Sequence, residues 1–270
     1  MTSPACVLHP DQYAGSTCPR CGNFTCGTCN PDGRTQCPSC RALQADTQRA
    51  DVPWERRAEL GLPAAFWAQL TSTLLSPGRF WKTVRRDRPG NEAFFFAWLV
   101  SAVANLASVP FNAFNIWVQG EQLRELFDLM LSRNDTTALL ELLFAHPVLS
   151  SLVLAVWGVL MFPVSFFLMA GLVHLGCILA GIRNHPLGVT VRAVGYGSAG
   201  NALLAIPFVG FLGAFYTWAL WVWGVKELQQ GSTGRSVVAV FWWMLLVCCC
   251  STLAVGAVAV WAFSMVRGVH

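Results

Sequence analysis

The feature that most constrains this chain is a series of paired side chains near its N-terminus that can bind metal. Two residues separate the members of each pair, and the four pairs are Cys6 and His9, Cys18 and Cys21, Cys26 and Cys29, and Cys37 and Cys40. This spacing lets two side chains on one tight turn reach the same ion, and two such pairs close a tetrahedral site. Eight ligands therefore predict two zinc ions per chain.

The order of the pairs indicates how they combine. In crossed-brace modules the first and third pairs share one ion and the second and fourth share the other, which predicts sites of Cys6, His9, Cys26, Cys29 and of Cys18, Cys21, Cys37, Cys40. Few large apolar residues are present to form a core, namely Val7, Leu8, Tyr13 and Phe24. Metal must supply the missing stability, on the order of 10 kcal/mol per structural site. We expect residues 1–45 to be unfolded without zinc.

Two other uses of these cysteines are a disulfide framework and a catalytic zinc. Disulfides require an oxidising compartment, whereas residues 1–12 lack the apolar run of a secretory signal and His9 would have no purpose in such a framework. A catalytic zinc keeps an open position for water, but all eight ligands are used by two closed sites. The sequence also shows no nucleophile triad, phosphate loop or paired-carboxylate motif, so an enzyme is not expected.

Composition changes sharply at about residue 92. Residues 1–92 hold 19 of the 32 charged side chains, and only 13 occur in the 178 positions that follow. Long apolar stretches of this kind exceed what a soluble core needs. We predict an all-α membrane protein, in which residues 93–266 form the membrane domain, residues 63–92 form basic interfacial helices and residues 46–62 form a charged linker.

A basic cluster lies immediately before the first apolar stretch and surrounds Phe80, Trp81 and Val84. It consists of Arg79, Lys82, Arg85, Arg86 and Arg88. Amphipathic basic helices of this kind lie at the membrane interface. The simplest role of these charges is to fix the orientation of the protein, and binding of anionic lipid or of a partner is the alternative. The formal net charge of +4 is modest, so nucleic acid is not an expected partner.

Apolar stretches predict five transmembrane helices. They lie at about residues 93–118, 148–181, 189–206, 208–225 and 237–265, and residues 120–144 are expected to form an amphipathic helix on the far surface. Basic residues fall on the N-terminal side of this arrangement, which predicts a cytosolic N-terminus and a C-terminus on the opposite side. A cytosol keeps thiols reduced, in agreement with metal binding.

Polar residues within the apolar stretches are candidates for a site inside the membrane. His174, Arg192 and Asn201 are the main ones, and such residues merit a functional hypothesis by default. Simpler explanations are that Arg192 extends to the interface and that His174 bonds to another helix. Small residues between Ala193 and Gly200 are expected to let helices approach closely.

Two parts of the chain resemble known families. The order CxxHP, CxxCG, CxxC, CxxC resembles a B-box-type zinc finger, although the last pair is Cys37 and Cys40 where histidines are frequent. The sequences FWAQLTSTLLSPGRFWKTV, HLGCILAGIRNHPLGVTVRAVGYGSAGNALLAIPFVGFLGAFYTW and GVKELQQGSTGRSVVAV resemble the Yip-one domain family of five-span membrane proteins over about residues 63–266. This resemblance implies a multi-pass membrane protein. B-boxes imply a protein-interaction module.

The leading functional hypothesis is a multi-pass membrane scaffold in the lipid bilayer, whose cytosolic zinc module binds a protein partner in membrane organisation or trafficking. The alternative is a small-molecule or ion transporter regulated by the zinc module, and a third hypothesis is the shaping of membranes by the amphipathic helices. An arginine bias favours a bacterial cell membrane. In a eukaryote the resemblance implies the endoplasmic reticulum or Golgi. Homo-oligomerisation is left open.

Overall fold

The computed structural model describes residues 4–31, 36–41, 51–130, 145–207, 209–245, 247–248 and 251–252, without the side chains of residues 121 and 123–130. The chain divides into two compact units. One consists of Met1–Val52 and Thr83–Arg88, and the other of Pro53–Lys82 and Pro89–His270.

The first unit contains very little regular structure. Two short antiparallel strands, β1 (Ser16–Thr17) and β2 (Phe24–Thr25), pair with Ser16 opposite Thr25 and Thr17 opposite Phe24. A single helical turn follows at residues 38–41. The buried positions in this unit are mostly cysteines, so its centre is a pair of thiol clusters and not an apolar core.

The second unit is helical in the part that the structure describes. A 3₁₀ turn (Pro53–Arg56) and one helical turn (Arg57–Leu60) lead into α1 (Leu62–Leu75) and α2 (Pro77–Thr83). The longer helices are α3 (Asn91–Ala107), α4 (Val109–Met130), α5 (Pro147–Leu179), α6 (Leu187–Gly197), α7 (Gly210–Leu228) and α8 (residues 233–245), with a 3₁₀ segment (Ser198–Ala205) after α6.

Helix α6 forms the centre of the second unit, and α3, α5 and α7 pack against it. Small residues make this possible. A Cβ atom on Gly195 would lie 2.6 Å from the Ala93 carbonyl oxygen of α3, and one on Gly197 would lie 2.5 Å from Trp221 of α7. The expectation that these small residues let helices approach closely is confirmed.

The first expected span, residues 93–118, is not one helix. The structure breaks it at Ser108 and bends α4 by 44° relative to α3. Pro110 explains the break, because a proline in the first turn of a helix has no N–H to donate to the preceding turn and its ring opposes a continuous helix. Helix α4 then continues through Gly120 to Met130, so the expected boundary between a span and a surface helix is absent there. Residues 131–144 lie outside the described part.

The second expected span is confirmed as one helix. Helix α5 has 33 residues with Pro163 in its interior, and at ~1.5 Å per residue it is longer than a bilayer core is thick. The third expected span, residues 189–206, is an 11-residue α-helix followed by an eight-residue 3₁₀ segment. Most of the fifth, residues 237–265, lies outside the described residues.

Helices long and apolar enough to cross a membrane are few in the described part of the chain. Helix α5 meets this description alone, and the bent pair Asn91–Ala107 with Val109–Gly120 meets it if the two are one span. The five-span arrangement therefore stays a prediction.

The two helices expected at the membrane interface bury several large apolar side chains in the protein, while Trp67 of α1 is exposed. Phe66 and Leu70 of α1 and Phe80 and Trp81 of α2 are all buried. Phe80 makes an edge contact with Tyr196 of α6 at a centroid distance of 5.8 Å, and Trp81 lies against Gly224 of α7. The amphipathic pattern was recognised in the sequence, but these side chains face other helices and not lipid.

Candidate metal centre

The eight paired ligands lie on tight turns, as their spacing predicts. Cys6 donates its N–H to Gln12, whose own N–H returns to His9, so the first pair sits on a closed loop. Cys18 follows β1 directly, and the turn after it contains Gly22, whose φ of 73° is rarely adopted by residues other than glycine. The turn of residues 38–41 carries the last pair, where the Cys40 N–H donates to the Cys37 sulfur at 3.4 Å.

These turns bring the ligands into two groups. One contains Cys6, His9, Cys26 and Cys29, the other contains Cys18, Cys21, Cys37 and Cys40, and the ligand atoms within each group lie within 4.8 Å of one another. These are the two sets that crossed pairing predicts. The chain thus interleaves its four pairs, and the loss of one ion would loosen both ends of the module.

Distances within the groups match a metal tetrahedron and not a disulfide. The Sγ atoms of Cys6 and Cys29 are 3.6 Å apart, as are those of Cys21 and Cys37, whereas a disulfide bond is about 2.05 Å long. Sulfurs bound to one zinc at about 2.3 Å lie about 3.8 Å apart at tetrahedral angles. His9 directs Nδ1 into its group, 3.2 Å from the Cys29 sulfur and 3.4 Å from the Cys26 sulfur.

The thiols of each group differ in acidity. Burial opposes ionisation of Cys6, but backbone hydrogen bonds from Leu8, Cys26 and His9 lower its pKa to about 6. In the second group a backbone hydrogen bond from Cys37 outweighs burial and lowers the pKa of Cys18 to about 6. Burial, reinforced by neighbouring thiols, raises the pKa of Cys29 to about 11 and that of Cys40 to about 12.

This division of acidity fits a cation at the centre of each group. The four thiols of one group, or the three thiols beside the His9 imidazole in the other, cannot all lose their protons in contact unless a positive charge stands between them. A divalent ion would supply that charge and deprotonate the remaining thiols. The donor set of soft sulfur and imidazole nitrogen suits a metal that prefers those ligands, and with four ligands in each group no open position is left for catalysis.

The large apolar side chains of the module lie on its surface. Val7, Leu8, Tyr13 and Phe24 are between 41% and 78% exposed. Backbone pairing places Val7 beside Phe24, because the Val7 N–H donates to the Phe24 carbonyl, and Tyr13 is paired with Ala5, next to Cys6. The module therefore has no described apolar core, and its apolar residues form what we call the apolar surface (Val7, Leu8, Tyr13, Phe24).

Arg192, an expected site residue, forms a buried ion pair in the second unit. Its side chain is fully buried and its Nη2 donates to Glu55 Oε1 at 2.5 Å, while Nη1 donates to the Pro89 carbonyl. The Tyr196 hydroxyl donates to the same Glu55 oxygen at 2.7 Å, and the guanidinium lies over the Tyr196 ring at 5.4 Å. The expectation that Arg192 extends to the interface is wrong.

Glu55 was missed by sequence reasoning, because it lies in the stretch interpreted as a charged linker. A signal was present in its neighbour Trp54, a large apolar residue in an otherwise charged segment. Trp54 is buried against Phe96, and its Nε1–H donates to the Glu92 carbonyl. Arg57 pairs with Glu92 at 2.5 Å, so the turns between Pro53 and Leu60 are fastened to α3 and α6.

The other two polar candidates have separate partners. His174 Nδ1 lies 2.9 Å from the Thr190 hydroxyl of α6, which agrees with a hydrogen bond to another helix. Asn201 accepts a hydrogen bond from Thr217 of α7 at 3.1 Å. Among the contacts described, nothing joins His174, Arg192 and Asn201 into one site.

The basic cluster is divided between α2 and the chain that follows it. Arg79 and Lys82 are exposed on α2, whereas Arg85, Arg86 and Arg88 lie beyond its end at Thr83. Asp51 pairs with Arg85 at 3.1 Å and with Arg88 at 2.7 Å, and Asp87 pairs with Arg85 at 2.6 Å. The hydrogen bond with Arg85 holds the pKa of Asp87 below its usual value. Part of the expected positive charge is therefore neutralised within the protein.

Comparison with known proteins identifies one family model. The Yip1 domain model matches residues 71–255, which is more than half of the chain. No curated protein and no solved structure matches. The match lies entirely after the paired metal ligands, so it carries no information about the N-terminal module.

Proposed function

Since this chain belongs to the Yip1 domain family, we propose that it is a multi-pass membrane adaptor whose N-terminal module binds two structural Zn²⁺ ions and recruits a cytosolic protein partner. Five spans would place the N-terminus in the cytosol, where thiols stay reduced and able to bind metal. The exposed apolar face along α5, which includes Leu152, Val156 and Leu160, suits contact with lipid.

The observation that carries this proposal is the apolar surface of the metal module. A domain this small exposes large apolar side chains at the cost of solubility, and clustered exposed apolar residues mark interaction sites. Ligand sulfurs and the His9 imidazole are directed inward, so the apolar side chains of the surface are not themselves metal ligands. Metal therefore maintains the module, and the apolar surface is the part offered to a partner.

Proximity labelling from the N-terminus of the full-length protein tests this proposal. Leu8→Ser with Tyr13→Ser changes the apolar surface and leaves all eight ligands in place, while Arg20→Ala changes an exposed residue of the same module and serves as the control. We expect the double variant to lose specific neighbours while it retains two zinc ions per chain by mass spectrometry. An unchanged set of neighbours in the double variant would refute the adaptor role. Absence of zinc from the unaltered protein would refute the identity of the metal.

The transporter alternative receives no support from a specific contact. His174, Arg192 and Asn201 bind different partners within the protein, and Arg192 is already paired with Glu55. Membrane topology is tested separately, by labelling of peptide epitopes fused to the two termini with antibodies that cannot cross sealed membrane vesicles. Labelling of both termini from the same side of the membrane would contradict five spans.

A further inference from the structure

A groove runs between α7 and α8 on the surface of the second unit. Its volume is about 630 Å³, within the range of ~300–1,000 Å³ that is usual for small-molecule sites. Apolar side chains make up nearly all of its wall, among them Phe215, Trp218, Val222, Trp223 and Phe241. A lining of this kind suits hydrocarbon.

The shape of the groove is built by specific contacts. Trp218 packs edge-on against Phe241 at 5.8 Å and against Phe215 at 5.4 Å, so aromatic rings from both helices form one surface. The turn that joins the two helices is held by the fully buried Gln229. Its amide accepts a hydrogen bond from the His185 N–H and donates to the Thr190 hydroxyl at 3.0 Å. The end of α7 is thereby fastened to α6 and to the segment before it.

Lys226 and Thr233 give the same end of the groove a polar character. Lys226 lies in the last turn of α7 and Thr233 at the start of α8, on either side of the Gln229 turn. Within the residues that the structure describes, the Lys226 ammonium group forms no ion pair and no hydrogen bond. A single positive charge therefore stands at the mouth of an apolar groove.

We propose that this groove binds an anionic phospholipid, with one acyl chain along Trp218, Val222 and Phe241 and the phosphate beside Lys226 and Thr233. The proposal rests on the membrane location in the proposed function, which puts Lys226 on the cytosolic side by the distribution of positive charge. An ammonium beside a lipid phosphate at a membrane surface favours anionic over zwitterionic lipid by about five-fold.

Native mass spectrometry of the full-length protein, extracted from membranes in detergent, tests this site. The probes are phosphatidylglycerol and phosphatidylcholine with identical acyl chains. We expect the unaltered protein to retain phosphatidylglycerol about five-fold more than phosphatidylcholine. Lys226→Gln should abolish this preference, whereas Arg235→Gln, which removes an exposed charge outside the groove, should preserve it. Val222→Trp should fill the groove and reduce retention of both lipids.

Three results of lipid binding would overturn the site. They are equal retention of the two lipids by the unaltered protein, equal loss of preference in Lys226→Gln and Arg235→Gln, and unchanged retention in Val222→Trp. A change of oligomer mass in Val222→Trp would show that a second copy covers the groove and would also overturn the proposal. Failure of the membrane location itself is distinguishable, because the protein would then appear in the soluble fraction without detergent.

Discussion

Removal of one partner from the Glu55–Arg192 pair should destabilise the second unit strongly. Arg192 is 0% exposed and the Glu55 side chain 6% exposed, so the pair belongs to the buried class, for which loss of one partner costs about 3–5 kcal/mol. Glu55→Gln keeps an acceptor for the Tyr196 hydroxyl and leaves Arg192 charged. Arg192 keeps its hydrogen bond to the Pro89 carbonyl and its contact with the Tyr196 ring in this variant. We therefore expect a cost at the lower end of that range, about 3 kcal/mol.

The double variant separates charge pairing from packing. Arg192→Met leaves Glu55 charged and buried, and should also cost about 3 kcal/mol. When Glu55→Gln and Arg192→Met are combined, no buried charge is left, so the total cost should fall below the sum by about 2–3 kcal/mol. Tyr196→Phe removes a hydrogen bond to a carboxylate and should cost about 1.5–3 kcal/mol alone.

Denaturant unfolding of the purified protein in detergent measures these free energies. Trypsin cleavage after Arg56 and Arg57 reports opening of the turns that carry Glu55. Glu59→Gln is the matched control, because Glu59 pairs with Arg56 on the surface with 67% of its side chain exposed and should cost at most about 1 kcal/mol. Costs below about 1 kcal/mol for both single variants, or additive costs in the double variant, would refute a buried, coupled pair.

Three further predictions concern other parts of the chain. Chelation of metal should unfold residues 4–41, because each site contributes on the order of 10 kcal/mol. Unfolding should appear as rapid proteolysis of that segment, while the second unit keeps its helical circular dichroism. Persistence of the folded segment without metal would contradict this prediction. Gly176→Ala should cost about 1–3 kcal/mol by thermal unfolding, since its Cβ would overlap the Ala239 carbonyl oxygen, whereas Gly171→Ala on the same helix meets no atom within 4 Å and should be neutral or slightly stabilising. Arg85 lowers the pKa of Asp87, so the stabilising effect of this carboxylate should be full above about pH 4 and should be lost as the pH falls through the lower pKa of the folded state. The effect should be absent in Asp87→Asn. Hydrogen exchange of residues 83–88 measures this stability, and an identical pH profile in the variant would refute the prediction.

The metal groups were predictable because spacing alone limits their geometry. A pair of ligands two residues apart has to share a turn. The crossed-brace type of module then predicts that alternate pairs meet. The structure brings together the same two groups, Cys6, His9, Cys26, Cys29 and Cys18, Cys21, Cys37, Cys40. Helix α5 was predictable for a related reason, since a long apolar run has few other ways to satisfy its backbone in an apolar environment.

The break at Ser108 has a partial signal in the sequence. Pro110 is a signal for a helix start, but the apolar character of residues 93–118 continues across it, and composition cannot tell a bent pair from a straight helix. The 3₁₀ segment after α6 is a harder case. Gly200 in this segment lies against Thr217 of α7, a tertiary contact that composition does not reveal.

Sequence alone determined the features that depend on local spacing and composition, namely the two ligand groups, the long apolar helix, the small residues of α6 and the family. Tertiary structure decided which apolar side chains face solvent and which charged side chains are buried. Phe80 and Trp81 carry an interfacial pattern yet pack inside the protein, whereas Val7 and Tyr13 lie on the surface of the metal module. The physical reason is that burial depends on residues brought together from far apart, as in the ion pair that joins Glu55 to Arg192 across 137 positions of sequence.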